Sequence, residues 1–554
     1  MKMQGARIVV ETLIEQGVDT MFGYPGGFVL NIFDELYKAS DRIKLITTCH
    51  EQGAAHAADG YSRASGKTGV VISTSGPGAT NLVTGIASAY LDSTPLIAIT
   101  GNVPLNLIGR DSFQEVDITG ITMPITKHNF MVKDVKNLAD TIREAFKIAN
   151  SGRPGPVLID IPKDVQTTEC EFENKPKVVP VRDYVYDEPA FLDAVNLIKQ
   201  SKRPFIYMGG GVLISGASKE LLDFANKIDA PIGSSMMGLS AIDNRGERFL
   251  GMTGMHGKYV AIRLMDACDL IIAIGTRFSD RATGNKQAYS DGRKIIHIDI
   301  DPAEIDKNIF ADVSIIGDVK KVLTKLNGSL ETQKRAEWSK RVKDEKSNPD
   351  FHLEMNKTRL NPQSVIETLR KYADDNTIIA TDVGQHQMWT AQYYKFTKPR
   401  TLITSGGLGA MGFGLGAAIG AASATKNKTI LFTSDGSFHM NMNEMATAVS
   451  ENLPVVIIIL NNNALGMVRQ WQTLFFEGRY SHTSLQRKTD YVKLANAFGL
   501  DGVKITKMEE LDNAVKTAFL SKGPYLIEAV IDSDEKVLPM IPAGGSVKDI
   551  IIKG

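Results

Sequence analysis

The chain has 554 residues, 43% hydrophobic and 23% charged, the balance of an ordinary globular protein of about three domains at ~100–200 residues each. Lys+Arg and Asp+Glu both number 63, so the net charge is zero and no basic excess points to nucleic acid. Apolar runs stop well short of the ~18 residues that cross a bilayer; the longest, Leu453 to Leu460, is interrupted by Pro454 and suits a buried strand.

The opening MKMQGARIVVETLIEQG predicts an amphipathic helix with Glu11 and Glu15 on its polar side. It lacks the apolar core of a secretory signal and the acid-poor, Arg/Ser-rich character of a transit peptide. Three widely spaced cysteines, Cys49, Cys170 and Cys268, predict reduced structural thiols in a cytoplasmic compartment. Residues 1–165 then alternate helical patterns with short Val/Ile/Thr-rich runs, IKLITT (43–48), GVVISTS (69–75), PLIAITG (95–101) and PVLIDIP (156–162). That is the rhythm of a parallel sheet covered on both faces. A polar stretch over 166–190 reads as a linker. The rhythm returns at RPFIYMGGG (203–211), DLIIAIGTRF (269–278) and KIIHIDIDP (294–302), and a charged segment without apolar periodicity, 331–350, closes this block. A third block carries TIIATDVG (377–384), KTILFTSDG (428–436), LPVVIIILNNN (453–463) and PYLIEAVID (524–532). It echoes the first block without a residue-level repeat. The fold class is therefore α/β, with three doubly wound parallel-sheet domains, and ligands are expected just beyond the carboxyl ends of the strands.

Two such ends stand out. One apolar run opens into Asp435-Gly436-Ser437 and the next into Asn461-Asn462, with room for one helix between them. Taken singly, DG and NN are turn formers. Together they would set a carboxylate and a carboxamide at one sheet edge, hard oxygen donors that suit Mg²⁺ shared with a diphosphate, while Gly436 lets the backbone approach closely. The pair resembles the signature of the thiamine-diphosphate enzymes, Gly-Asp-Gly followed by Asn-Asn, with Ser434 in place of the first glycine. The resemblance implies metal ligands Asp435, Asn462 and the main-chain carbonyl of Ala464.

Glu51 opens EQGAAHAADGYSRASG, where an arbitrary glutamate would serve only as a favourable charge at a helix N-terminus. The segment resembles that family's motif, whose glutamate hydrogen-bonds the aminopyrimidine ring of thiamine diphosphate. The cofactor supplies the electron sink and the protein the placement. The family's active site joins the first and third domains of different subunits, implying a homodimer or homotetramer.

Many ordered motifs narrow the resemblance to the acetohydroxyacid (acetolactate) synthase catalytic subunits. They include GYPGG (23–27), SGPG (75–78) with Asn81, FQE (113–115), TKHN (126–129), RPGP (153–156), GQHQMW (384–389), GLG (407–409) with Met411-Gly412, GMVRQWQ (466–472) and LPMIP (538–542). Gly416 stands where that family usually carries proline. By this resemblance, 1–165 is a pyrimidine-binding domain, 190–330 a central FAD-binding domain, 360–535 a diphosphate- and Mg²⁺-binding domain, and 536–554 a C-terminal tail. Catalytic roles fall to Gly27, Glu51, Gln114 and Lys127, the last two lining a substrate channel. Thiamine diphosphate would be held by Glu51, Pro77, Asn81, Gln385, His386, Gly409, Met411, Gly436, Ser437 and Met467.

Gly209-Gly210-Gly211 lacks the spacing of a dinucleotide fingerprint and by itself reads as a loop. GMTGMHG (251–257), TRFSDRATG (276–284) and HIDIDPAEIDKN (297–308) nonetheless resemble the family's FAD-binding segments. The implied FAD contacts are Arg153, Gly209, Gly210, Gly211, Met255, His256, Gly275, Arg277, Arg281, Asp299, Asp301 and Asp318. Surface ion pairs and strand-end turns are the bland alternatives for each. In this family the flavin is bound without redox turnover in the main reaction. Trp471, with Met467 and Val468, implies a preference for 2-ketobutyrate as acceptor and the biosynthetic type; a tryptophan at this spacing is otherwise core packing. His56, His297, His352 and His482 are read as structural or solvent-facing, and no His/Cys grouping has zinc spacing.

The expected activity is decarboxylation of pyruvate on thiamine diphosphate. The hydroxyethyl carbanion then adds to a second pyruvate, giving 2-acetolactate, or to 2-ketobutyrate, giving 2-aceto-2-hydroxybutyrate, the first common step of branched-chain amino-acid biosynthesis. A small regulatory subunit is the expected partner. A flavin-dependent pyruvate oxidase of the same fold is one rival, disfavoured by MVRQWQ. A non-catalytic protein on this fold is the other, disfavoured by Glu51, Asp435 and Asn462.

Overall fold

The computed structural model describes residues 1–180, 187–349, 355, 358–485 and 487–553. Part of the expected linker (181–186) and His352 lie outside the described residues. Three six-stranded sheets, every strand pairing parallel, form the framework. From edge to edge the first runs Lys44–Thr47, Thr20–Gly23, Gly69–Ser73, Leu96–Asn102, Pro156–Pro162 and His128–Met131. The second runs Phe249–Met252, Ile232–Ser234, Pro204–Met208, Leu270–Ile274, Lys294–Asp299 and Val313–Ile316. The third runs Leu402–Ile403, Ile378–Thr381, Thr429–Ser434, Val455–Asn461, Tyr525–Val530 and Asp501–Ile505.

Numbered by chain order within each sheet, the first and third share the order 2-1-3-4-6-5, and the middle sheet has 3-2-1-4-5-6. The latter is the order of dinucleotide-binding sheets. A crevice opens where the order reverses, between the first and third strands of the outer sheets and between the first and fourth of the middle one. The residues following those strands are Tyr24–Gly27 and Thr74–Pro77, Asp382–His386 and Asp435–Ser437, and Gly209–Gly211 with Gly275. Some of the expected ligand residues, Gly27, Pro77, Gln385, His386, Asp435 to Ser437, Gly209 to Gly211 and Gly275, therefore stand at switch points, while Glu51 and Asn462 follow neighbouring strands.

Each central strand is buried along its whole length, Val455–Asn461 and Leu96–Asn102 among them, which is why they read as unbroken apolar runs. The apolar core is continuous between domains. One cluster joins Ile206 and Ile272 of the middle sheet to Trp389 and Val456 of the third, and another joins Ala54 and Ala57 of the first domain to Leu415 and Ile419 of the third. The closest helix pair is Glu51–Ser65 against Phe413–Thr425. Both are lined by Ala and Gly, and a side chain on Gly60 or Gly420 would overlap the backbone of Ala417 or Ala57.

Three local readings change. The N-terminal helix, Gly5–Glu15, forms, but Glu15 is not on a wet face: its carboxylate pairs with Arg143 at 2.6 Å, with only 2% of the Glu15 side chain exposed. The aperiodic charged segment contains the helix Ala336–Ser347, anchored by buried Trp338, whose indole N–H donates to Pro204 O at 3.0 Å. Gly209-Gly210-Gly211 is not a free loop, since Gly210 starts the short helix Gly210–Ser215. Among the described residues no helix is long and apolar enough to cross a membrane.

Candidate active site

In the third domain, Asp435 begins the helix Asp435–Asn441 directly after strand Thr429–Ser434, and Asn462 follows the neighbouring strand Val455–Asn461. The register pairs Ser434 with Leu460, which brings the two residues to one edge. Asp435 is 3% exposed, and its Oδ1 has no hydrogen-bond partner. Burial pushes its carboxyl up to about 7, opposed by the N–H groups of Asp435, Gly436 and Asn462 and by Arg487. A buried, unpartnered carboxylate oxygen is what a cation ligand looks like without its cation. The amide of Asn462 accepts from Ala464 N at 3.2 Å and donates to Gln385 at 3.2 Å. No group of three or more His, Cys, Asp or Glu side chains that could hold a metal occurs among the described residues. The Asp/Asn/carbonyl donor set accordingly fits a hard ion that takes its remaining ligands from phosphate.

Gln385 is buried, donating to Gln470 Oε1 and to Glu535 O at 2.9 Å each. His386 beside it is fully enclosed; burial lowers its imidazole to about 3, so it is neutral, and its Nε2 has no partner. Ser437 donates to Val383 O at 2.9 Å, tying the Asp435 turn to the adjacent switch-point strand. A Cβ on Gly436 would stand 2.9 Å from Leu465 and 3.8 Å from Met411.

A cavity of about 1280 Å³ begins at Val383 and Gly384 and runs into the middle domain; Asp435, Asn462, Gln385 and His386 stand behind its wall. Its third-domain wall includes Gly409, Met411, Met467, Val468 and Trp471, and its middle-domain wall includes Gly210, Gly211, Met255, His256, Gly275, Arg277, Arg281, Asp299 and Asp318, with Arg153 from the first domain. Any side chain on Gly209 would overlap Gly275 O, and one on Gly211 would stand 2.6 Å from Gly275 Cα, so these glycines let two switch-point turns pack backbone to backbone. Burial raises the Asp299 carboxyl to about 6 and lowers His256 to about 4. His256 Nδ1 and Glu304 Oε2, both buried and both belonging to residues on this wall, have no partners. Arg153 pairs with Glu304 at 2.6 Å and Asp301 at 3.5 Å. Asp301 and Gly209 stand behind the wall rather than on it. Asp318 lines the cavity while accepting from Lys321 N at 3.1 Å.

The first-domain residues gather elsewhere. Glu51 is the first residue of its helix and accepts from Asn81 Nδ2 at 2.9 Å. A Cβ on Gly78 would be 3.2 Å from Glu51 Oε1, so the segment Pro77–Asn81 closes on the carboxylate, and one on Gly76 (φ 56°) would be 2.7 Å from Gln114 O, which places Gln114 against the start of that segment. Gly27, in the adjacent switch-point loop, has open space where its side chain would be. None of Gly27, Glu51, Pro77, Asn81 or Gln114 lines the large cavity. Lys127 does not reach it either: its ammonium donates to Ile148 O (2.5 Å) and Ser151 O (2.6 Å) at the end of the helix Leu138–Asn150, and burial lowers it to about 8.

Sequence reasoning passed over several residues here. Asp92 accepts from Gly406 N (3.0 Å) and Gly407 N (2.7 Å) and pairs with Arg63 (3.0 Å), which also donates to Thr404 O (2.7 Å). This buried network ties the first domain to the turn before Gly409. Gln470 and Arg487 were also missed. Asp92 and Arg487 belong to no spacing pattern; Arg63, Gln470 and Glu304 lie inside matched segments, 51–66, 466–472 and 297–308, and were within reach.

Three family models match the chain: thiamine pyrophosphate enzyme, N-terminal TPP binding domain, over residues 3–121; its central domain over 192–326; and its C-terminal TPP binding domain over 382–529. A probable acetolactate synthase large subunit of Methanocaldococcus jannaschii is 46% identical, covering 99% of this chain and 95% of the relative. The acetolactate synthase large subunit of Corynebacterium glutamicum is 45% identical over 99% of this chain and 90% of its own. Acetolactate synthase 3, chloroplastic, of Brassica napus is 44% identical over 100% of this chain and 87% of its own. Matched by all three models in order and similar from end to end to these enzymes, the chain belongs to the acetolactate synthase large-subunit family of thiamine pyrophosphate enzymes.

Proposed function

We propose that the chain condenses two pyruvates to 2-acetolactate and CO₂, or pyruvate with 2-ketobutyrate to 2-aceto-2-hydroxybutyrate and CO₂, using thiamine diphosphate with Mg²⁺ and carrying FAD. The observation that carries this reading is the unpartnered Asp435 Oδ1 beside Asn462, tied through the Ser437–Val383 bond to the wall of an apolar cavity that also carries Trp471. Asp435, Asn462 and the Ala464 carbonyl would hold the metal, with Gly436, Ser437, Gln385 and His386 around the diphosphate. Gly409, Met411 and Met467 would wall the ring. Thiamine diphosphate, once bound, supplies a nucleophilic carbon that takes up one keto acid and passes its two-carbon fragment to another.

The chain's own residues bind, orient and exclude water. Glu51, held by Asn81, would keep a charged hydrogen bond on the aminopyrimidine. Trp471 and Val468 would shape the acceptor pocket. The glycine-lined crevice of the 3-2-1-4-5-6 sheet, with Arg277, Arg281, Asp299, Asp318 and the unpartnered His256 and Glu304 atoms, suits a flavin dinucleotide.

Glu51 lies outside the cavity, and the first domain exposes Leu30 (57%), Phe113 (81%) and Met123 (69%). Exposed large apolar side chains in the domain that carries Glu51 support an active site completed by a second copy, in a dimer or tetramer. Relatives named as large subunits support a separate small regulatory subunit. Three free cysteines support a reducing, cytoplasmic location.

Purified protein supplied with pyruvate, thiamine diphosphate, Mg²⁺ and FAD should form acetolactate with no electron acceptor, measured colorimetrically after acid decarboxylation. Turnover that requires an acceptor, or none even with a small subunit added, would overturn the reading.

A further inference from the structure

Glu444 is a fully buried acid with no part in the mechanism above. It closes the short segment that begins at Asp435: the helix Asp435–Asn441 runs straight into the turn Met442–Glu444. Its carboxylate accepts from Cys49 N at 3.1 Å, from His50 N at 3.0 Å and from the Thr447 hydroxyl at 2.7 Å. Cys49 and His50 immediately precede Glu51. Burial raises the carboxyl of Glu444, and these donors pull it back.

Two N–H groups of consecutive residues on one carboxylate fix two successive peptide units, Thr48–Cys49 and Cys49–His50. The next residue is Glu51, the first of its helix, so the clamp sets the direction in which that side chain departs. Gly53 leaves room for it, because a side chain there would overlap the Glu444 carboxylate. The clamp is not what docks the two domains, since the Glu51–Ser65 and Phe413–Thr425 helices already pack backbone to backbone at Gly60 and Gly420. A buried carboxylate is costly unless fully hydrogen-bonded, and here its bonds converge on two successive peptides and one hydroxyl.

We propose that Glu444 is a positioning residue for Glu51: from the diphosphate-binding domain it holds the backbone N–H groups of Cys49 and His50 and so aims the Glu51 carboxylate at the cofactor ring. This rests on the reading of Glu51 given under the proposed function. In Glu444→Gln the amide oxygen can accept one N–H while its NH₂ faces the other, so the segment before Glu51 loses one of its two anchors with little change in volume.

The test is hydrogen–deuterium exchange at the reactive carbon of bound thiamine diphosphate, in holoenzyme with Mg²⁺ and FAD, read by quenched NMR. Glu444→Gln should bind thiamine diphosphate with an affinity within ~3-fold of wild type and keep the wild-type KM for pyruvate, while exchange and kcat fall together by ~10- to 100-fold, the scale of a misplaced catalytic group. Wild-type exchange in Glu444→Gln alongside slow exchange in Glu51→Gln would overturn the inference and leave the Glu51 reading intact. Wild-type exchange in Glu51→Gln would instead refute the Glu51 reading itself, and the inference with it. If Glu444→Gln does not fold, Thr447→Val decides. It removes one donor and keeps the charge, so slowed exchange supports the clamp and wild-type exchange overturns it.

Discussion

Ser434 stands where the Gly-Asp-Gly signature it resembles has its first glycine, and its backbone shows why serine serves. At φ −130° and ψ 167° it is extended and outside the left-handed region that favours glycine. Its Oγ accepts from Ser437 N at 3.4 Å, N-capping the helix that Asp435 starts. The substitution therefore adds a cap and leaves the Asp435 turn in place. Trp471 illustrates the opposite case, a residue whose role cannot be told from spacing. It stacks edge-to-face on Phe475 with ring centroids 5.4 Å apart, as a packing tryptophan would, yet it also lines the cavity. Replacing it by leucine should lower the preference for 2-ketobutyrate over pyruvate by ~10-fold, since one methylene in an apolar pocket is worth ~1–3 kcal/mol. The product ratio from mixed keto acids, resolved by gas chromatography, checks this; an unchanged ratio would remove Trp471 from specificity.

At the scale of elements, strands buried on both faces were legible and the short ones were not. Val455–Asn461 and Leu270–Ile274 announce themselves as apolar runs. Thr20–Gly23, Ile232–Ser234 and Leu402–Ile403 are two to four residues long, too short for any period to show. His128–Met131 is only partly buried at its sheet edge, and a strand starting with a polar pair reads as loop. The Trp338 helix was hidden because one aromatic anchors an otherwise charged surface. The meeting of Asp435 and Asn462 at one sheet edge was legible because two neighbouring apolar strands end in DG and NN. The Asp92–Arg63 junction was not, because its partners are about three hundred positions apart and chosen by packing. The Gly/Ala helix pair between the outer domains gives a stability test. Gly420→Ala would press a methyl into the Ala57 carbonyl and should destabilise by ~1–3 kcal/mol. Thermal denaturation should then show a lower midpoint; an unchanged one would mean the helices separate without cost.

Taken whole, the molecule repeats one strand order in its outer domains and reserves the dinucleotide order for the middle one, an equivalence invisible at the level of residues. Within one chain the Asp435–Asn462 edge reaches the large cavity only through Val383, which Ser437 bonds, while Glu51 and its partner Asn81 stand apart from the cavity. The proposal that the active site is shared between copies is tested most directly by subunit mixing. Glu51→Gln and Asp435→Ala chains, each inactive alone, should recover roughly a quarter of wild-type acetolactate formation when dissociated and reassociated together, because half of randomly paired dimers would hold one intact site. No recovery, with mixed dimers demonstrated by differential tagging, would contradict a site built from Asp435 of one copy and Glu51 of another.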